Sequence, residues 1–183
     1  MSEETKTQRE LALNTFRQKK YELIQAGYGY AGETLTDYVR AMMFAFGQKL
    51  PKTPQHMDFQ TLMLRWNLVK EEFGEFQAHM RMYEQSKIGV KSNPRSPVHA
   101  TILDSDFHNI VDDCVDIMVV TLGTLLAMGV DPDIVIREVG LSNMSKLGQD
   151  GKPILRADGK GLKGPDYFQP DIAGIVGTPK ESE

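Results

Sequence analysis

The stretch "NIVDDCVDIMVV", Asn109 to Val120, sets Asp112, Asp113 and Asp116 at the head of the most continuous apolar run in the chain. Cys114, Val115, Ile117, Met118, Val119 and Val120 surround Asp116, and a carboxylate in that company must find a partner, a proton or a metal. At about 100° per residue the three acids fall within an arc of roughly 100°, so on a helix they share one face. The run is therefore predicted to be a helix with an acidic face, starting from Asp106 as N-cap and ending near Met128 before Gly129.

The segments on either side read the same way. Asp58 can cap a long helix in which Phe59, Leu62, Met63, Trp66, Val69, Phe73 and Phe76 keep helical spacing to about Tyr83. Gly74 inside it calls for a close helix contact. Residues 86–105, with "SNPRSPVHAT", are predicted to form a long connection whose prolines exclude regular helix. A first helix runs from Gln8 to Gln25 and is broken by "GYGYAGE". Thr34 or Thr36 caps a second, with Leu35, Val39, Met42, Met43 and Phe46 on its apolar side, and Pro51 and Pro54 follow it. Asp131 and Pro132 open a fifth helix that ends near Lys146. From Gly148 onward, Gly, Pro and Asp-Gly turns replace helical spacing, and a small hairpin through Arg156 to Lys160 is predicted there. The chain thus reads as all-α: a bundle of about five helices in residues 1–147, followed by an irregular C-terminal arm in residues 148–183.

The 183 residues suit one compact domain. With 21 Lys plus Arg against 25 Asp plus Glu, the net charge of −4 argues against a nucleic-acid polymer or an anionic membrane as partner. Cys114 stands alone, which excludes an intramolecular disulfide and fits a reducing, cytoplasmic setting. "MSEETKTQRE" has no apolar core of the kind a secretory signal needs, and Ile117 to Val130 is too short and too polar to span a bilayer. The body carries more apolar surface than five helices can bury alone, so a homodimer or homotetramer is expected.

A second acidic device lies in "NLVKEEFGEFQAHM", where Glu71, Glu72 and Glu75 have the same offsets as the three aspartates. A single acidic run on a helix ordinarily means a solvated face, and the plain alternative for Asp116 is a helix cap or a buried salt bridge with Arg65 or Lys70. Two such faces on helices packed antiparallel confront one another, and a divalent cation is the simplest neutraliser. The donors are all oxygen, and His56, His79, His99 and His108 are too scattered for zinc. Carboxylate-only coordination favours Mg²⁺, with Mn²⁺ as substitute, and such ions commonly hold substrate phosphates.

"EEFGE" on one helix, "DCVD" on the next and "SNMSK" after a further helix resemble the MazG-like all-α nucleoside triphosphate pyrophosphohydrolases. That group includes MazG, the dimeric dUTPases and phosphoribosyl-ATP pyrophosphohydrolase. Its pattern, E-E-x-x-E followed by E-x-x-D, falls on Glu71, Glu72, Glu75, Asp113 and Asp116. Asp113 stands in place of the usual Glu, one methylene shorter, and Asp112 is its rival for the same role. The connection between the two acidic motifs is also longer than in compact members. The resemblance implies hydrolysis of a (deoxy)nucleoside triphosphate to its monophosphate and pyrophosphate. It further implies metal ions held by Glu72, Glu75, Asp113 and Asp116, with Glu71 or Glu72 orienting the attacking water.

Asn143 and Lys146, three residues apart, can face one ligand, and the resemblance favours phosphate for Lys146 over a plain C-terminal cation. Lys163 in "DGKGLKG" is a weaker phosphate candidate, although no P-loop pattern is present. Trp66 could stack on a base, while the ordinary reading of Trp66 and its Phe-Met stripe is core. Phosphoribosyl-ATP is the alternative substrate to a deoxynucleoside triphosphate. D-D-x-x-D also resembles the aspartate-rich motif of the much longer isoprenyl diphosphate synthases. A non-enzymatic helical interaction protein is the rival of a different class.

Overall fold

The computed structural model describes residues 3–28, 34–92 and 97–181, which form six helices. These are α1 (Glu3–Gln25), α2 (Leu35–Ala45), α3 (Phe59–Ser92), α4 (Pro97–Ala127), α5 (Pro132–Met144) and the short α6 (Ile172–Val176). No β-strand occurs among the described residues, only isolated bridges. Most of the "GYGYAGE" break, residues 29–33, lies outside the described residues. No single described helix is long and apolar enough to cross a membrane.

Local chemistry sets the helix starts. Thr34 and Asp37 form a reciprocal capping box on α2. Asp58 accepts the Thr61 amide at 2.8 Å ahead of α3, and Asp131 accepts the Asp133 amide at 3.0 Å with Pro132 in the first turn of α5.

Two expectations fail together. The long connection predicted at 86–105 does not form: α3 continues to Ser92 and α4 begins at Pro97. Proline at the first helical position loses only an N–H that has no intrahelical partner anyway, so Pro97 opens the helix instead of excluding it. Pro94 lies outside the described residues. Asp106, expected as the N-cap of α4, is instead inside that helix, buried, and accepts a hydrogen bond from the Ser86 hydroxyl.

α3 and α4 make the most extensive contact in the chain, as an antiparallel pair. Ser86 lies beside Asp106, His79 beside Asp113, and Arg65 beside Gly123. Arg65, Glu72, His79 and Ser86 recur every seven residues, so they run down one side of α3 as a polar seam facing α4. The small residue that close approach demands is Gly123, where an added Cβ would meet Arg65 Nη1 at 2.7 Å and Met43 Sδ at 3.5 Å. Gly74, expected to mark that approach, has open space beside it.

The apolar core sits between α2 and α4. Val39, Met43, Leu122, Leu126 and Ala127 are buried together, with Leu35, Leu50, Met57 and Val119 packed around them. The Phe-Met stripe of α3 is not core: Phe59 is 75% exposed, Trp66 61% and Phe73 49%. The seam, not the stripe, is the side of α3 that meets α4. Buried Arg65 hydrogen-bonds Gln48 from the connection that leads into α3.

The chain after Gly148 is irregular and folds back on the body. The Ser142 hydroxyl donates to the Phe168 carbonyl (2.8 Å), the Asp171 amide to Glu138 (2.9 Å), and Lys180 pairs with Pro54 and His56 through backbone bonds of 3.0 and 2.8 Å. The expected small hairpin is present, closed by the Arg156 amide on the Lys160 carbonyl with Gly159 at φ 82°.

Candidate active site

The antiparallel pairing of α3 and α4 brings the two acidic faces together midway along both helices. Glu72 is half-buried, while Glu71 and Glu75 are exposed to either side of it. Burial pushes the Glu72 carboxyl above its ordinary range, and the charges of Asp116, Glu75, Glu71 and Asp113 push it the same way. Asp116, also half-buried, is raised by burial first and then by Asp112 and Asp113. Carboxylates from both helices therefore feel one another across the interface.

The two rivals beside Asp116 have different settings. Asp112 is exposed, whereas Asp113 is 5% exposed and turned toward α3. Asp113 Oδ2 lies 2.8 Å from Nδ1 of His79; a carboxylate oxygen only accepts, so the ring nitrogen donates. Sequence reasoning assigned His79 nothing. Its signal was position: it follows Glu75 by four residues, which puts it one turn along the same face.

The other candidate residues lie apart from the acidic faces or make contacts of their own. Arg65 pairs with Gln48, not with Asp116, and Lys70 is exposed. Asn143 and Lys146 do come together, Nζ donating to Oδ1 at 2.7 Å, yet no hydrogen bond or ion pair among the described residues joins them to the acidic faces. They satisfy each other at the end of α5. Lys163 lies over the Tyr167 ring at 4.2 Å, within the arm. Trp66 is exposed, on the stripe next to the seam.

Glu72, Glu75, Asp113 and Asp116 supply oxygen donors from two facing helices, and the contact from His79 to Asp113 sets an imidazole beside them. That donor chemistry fits a hard divalent cation. The side chains as they stand are not drawn into one coordination sphere: among the described residues, no three of the His, Cys, Asp and Glu groups converge closely enough to hold an ion.

Comparison with known proteins places these residues in a family. No curated protein matches the chain. The phosphoribosyl-ATP pyrophosphohydrolase family matches residues 39–143, more than half of the chain, which takes in both acidic motifs and the helices that carry them. That family is part of the MazG-like all-α nucleoside triphosphate pyrophosphohydrolase superfamily. The chain, two facing carboxylate helices on an all-α scaffold, belongs to the phosphoribosyl-ATP pyrophosphohydrolase family and is a nucleotide pyrophosphohydrolase.

Proposed function

We propose that the protein hydrolyses a nucleoside 5′-triphosphate between its α and β phosphates, giving the monophosphate and pyrophosphate in a Mg²⁺-dependent reaction. The observation that carries this reading is the meeting of Glu72 and Asp116 across the α3–α4 interface, each raised by burial and by acidic neighbours. Glu72, Glu75, Asp113 and Asp116 would hold the cation. Bound there, Mg²⁺ supplies charge neutralisation for the phosphates and a water of lowered pKa. Glu71, exposed beside Glu72, orients the attacking water and accepts its proton.

A second reading within the same chemistry is phosphoribosyl-ATP, favoured by the family match across residues 39–143. It keeps the same triphosphate and the same scissile bond. Pyrophosphate release from dUTP, dCTP, dATP, dGTP and phosphoribosyl-ATP, with and without Mg²⁺, distinguishes the two. Turnover of at least one substrate, lost in Glu75→Gln and Asp116→Asn, is expected. No pyrophosphate from any of the five, together with thermal stability indifferent to Mg²⁺, overturns the proposal.

The working form is proposed to be a homo-oligomer. Phe59, Trp66 and Phe73 on α3 and Phe107, Val111 and Val115 on α4 leave broad apolar surface uncovered in one copy. Sedimentation equilibrium of the wild-type chain tests this, and a monomer at micromolar concentration rules it out.

A further inference from the structure

Asp113 is the most deeply buried carboxylate of the two acidic faces and has a shorter side chain than Glu72 and Glu75 opposite. A carboxylate so placed is held by its hydrogen bonds or not at all. His79 provides one, Nδ1–H to Oδ2 at 2.8 Å, and the bond leaves Oδ1 out of it. The imidazole is itself only 27% exposed in its side chain, so the α3–α4 packing limits where it can go. Four residues after Glu75, it flanks the acidic faces without adding a further negative charge to them.

We infer that His79 is a positioning residue, whose Nδ1–H fixes the Asp113 carboxylate so that Asp113 serves as a ligand of the divalent cation; this rests on the metal-dependent reading above. Without that donor, the Asp113 carboxylate turns about its own axis and the cation meets a less ordered ligand. His79 touches neither the cation nor the substrate in this role.

Two substitutions separate the hydrogen bond from the ring. His79→Asn keeps a side-chain N–H near the place of Nδ1 without the imidazole, and His79→Phe keeps a ring without a donor. The probe is Mn²⁺ alone, titrated into the full chain without nucleotide and followed by loss of the free-ion paramagnetic resonance signal. His79→Phe is expected to weaken Mn²⁺ binding by about 10- to 100-fold, the range typical of a lost partner behind a metal ligand, and His79→Asn by about 3-fold or less. Wild-type affinity in His79→Phe, or an equal loss in both variants, overturns the inference. A wild-type chain that takes up no Mn²⁺ overturns both the inference and the metal-dependent reading. A wild-type chain that binds Mn²⁺ and releases pyrophosphate, beside an unaffected His79→Phe, overturns the role of His79 alone.

Discussion

Arg65 on α3 lies against Gly123 on α4, so close that a methyl group at position 123 would sit 2.7 Å from the guanidinium. Arg65 is 5% exposed, its guanidinium is bonded to Gln48, and its Nε has no partner among the described residues. Burial pulls its pKa below the ordinary arginine value. It is a buried cation tied to Gln48, so a shift of the guanidinium disturbs that bond.

Gly123→Ala and Gly74→Ala are therefore expected to act in opposite directions although both sit in the same helical pair. Alanine is the better helix former by about 1 kcal/mol, and Gly74 has open space for it, so that variant gains stability of that order. At position 123 overpacking costs about 1–3 kcal/mol and outweighs the helix gain. Urea denaturation measures both, and a stabilised Gly123→Ala would contradict the close packing of Arg65.

Asp112 and Asp113 are separated by a second pair of variants. Asp113 faces α3 and is buried, while Asp112 is exposed. Asp113→Asn is expected to lower pyrophosphate release by at least about 100-fold, beyond the usual effect of an outer partner, and Asp112→Asn by only a few-fold. The reverse ranking would assign the ligand role to Asp112.

Asp58 gives a pH signature away from the acidic faces. The Lys49 ammonium at 2.7 Å, followed by the Thr61 amide, holds its carboxyl at about 2, below the ordinary 3.8. A carboxyl depressed on folding adds stability that is present above its ordinary pKa and is lost as pH falls through the folded value. The melting temperatures of wild type and Asp58→Asn should thus differ most above about pH 4 and converge toward pH 2, with the gap reduced in 1 M salt. Parallel curves across that window would show that the charge of Asp58 does not matter.

Ser142 tests the seat of the arm. The residue is 3% exposed and its hydroxyl donates to the Phe168 carbonyl, and Ser142→Ala is expected to cost about 1 kcal/mol, a fall of roughly 2–4 °C in melting temperature for a chain of this size. Limited proteolysis should also cut the variant faster between Gly148 and Phe168. An unchanged cleavage rate would mean that this bond does not anchor the segment.

The helix starts at Thr34, Asp58 and Asp131 were legible because capping is local, and the acidic faces because seven residues on a helix are enough to show a shared side. The length of α3 and α4 was hidden by Pro97, which looks like a breaker until its place at the start of a helix is known. Trp66 and Phe73 misled for a related reason. Apolar spacing marks the side that wants cover, but in α3 the side that meets α4 carries Arg65, Glu72, His79 and Ser86. The closeness of Asn143 and Lys146 was legible from their spacing on one helix, and the fold adds the hydrogen bond between them.

Because α3 ends at Ser92 and α4 starts at Pro97, the pairs nearest that junction join residues close in the chain. Ser86 meets Asp106 at 20 residues' separation, and His79 meets Asp113 one step later. Loop closure for such pairs costs little entropy, so the hairpin can zip from its closed end toward Arg65 and Gly123. The carboxylate pair is therefore expected to form in a local step of folding, ahead of the more distant contacts between α2 and α4. Refolding is therefore expected to bring Glu72 and Asp116 together once the Ser86–Asp106 and His79–Asp113 contacts have formed, and the divalent ion proposed for them would speed that step.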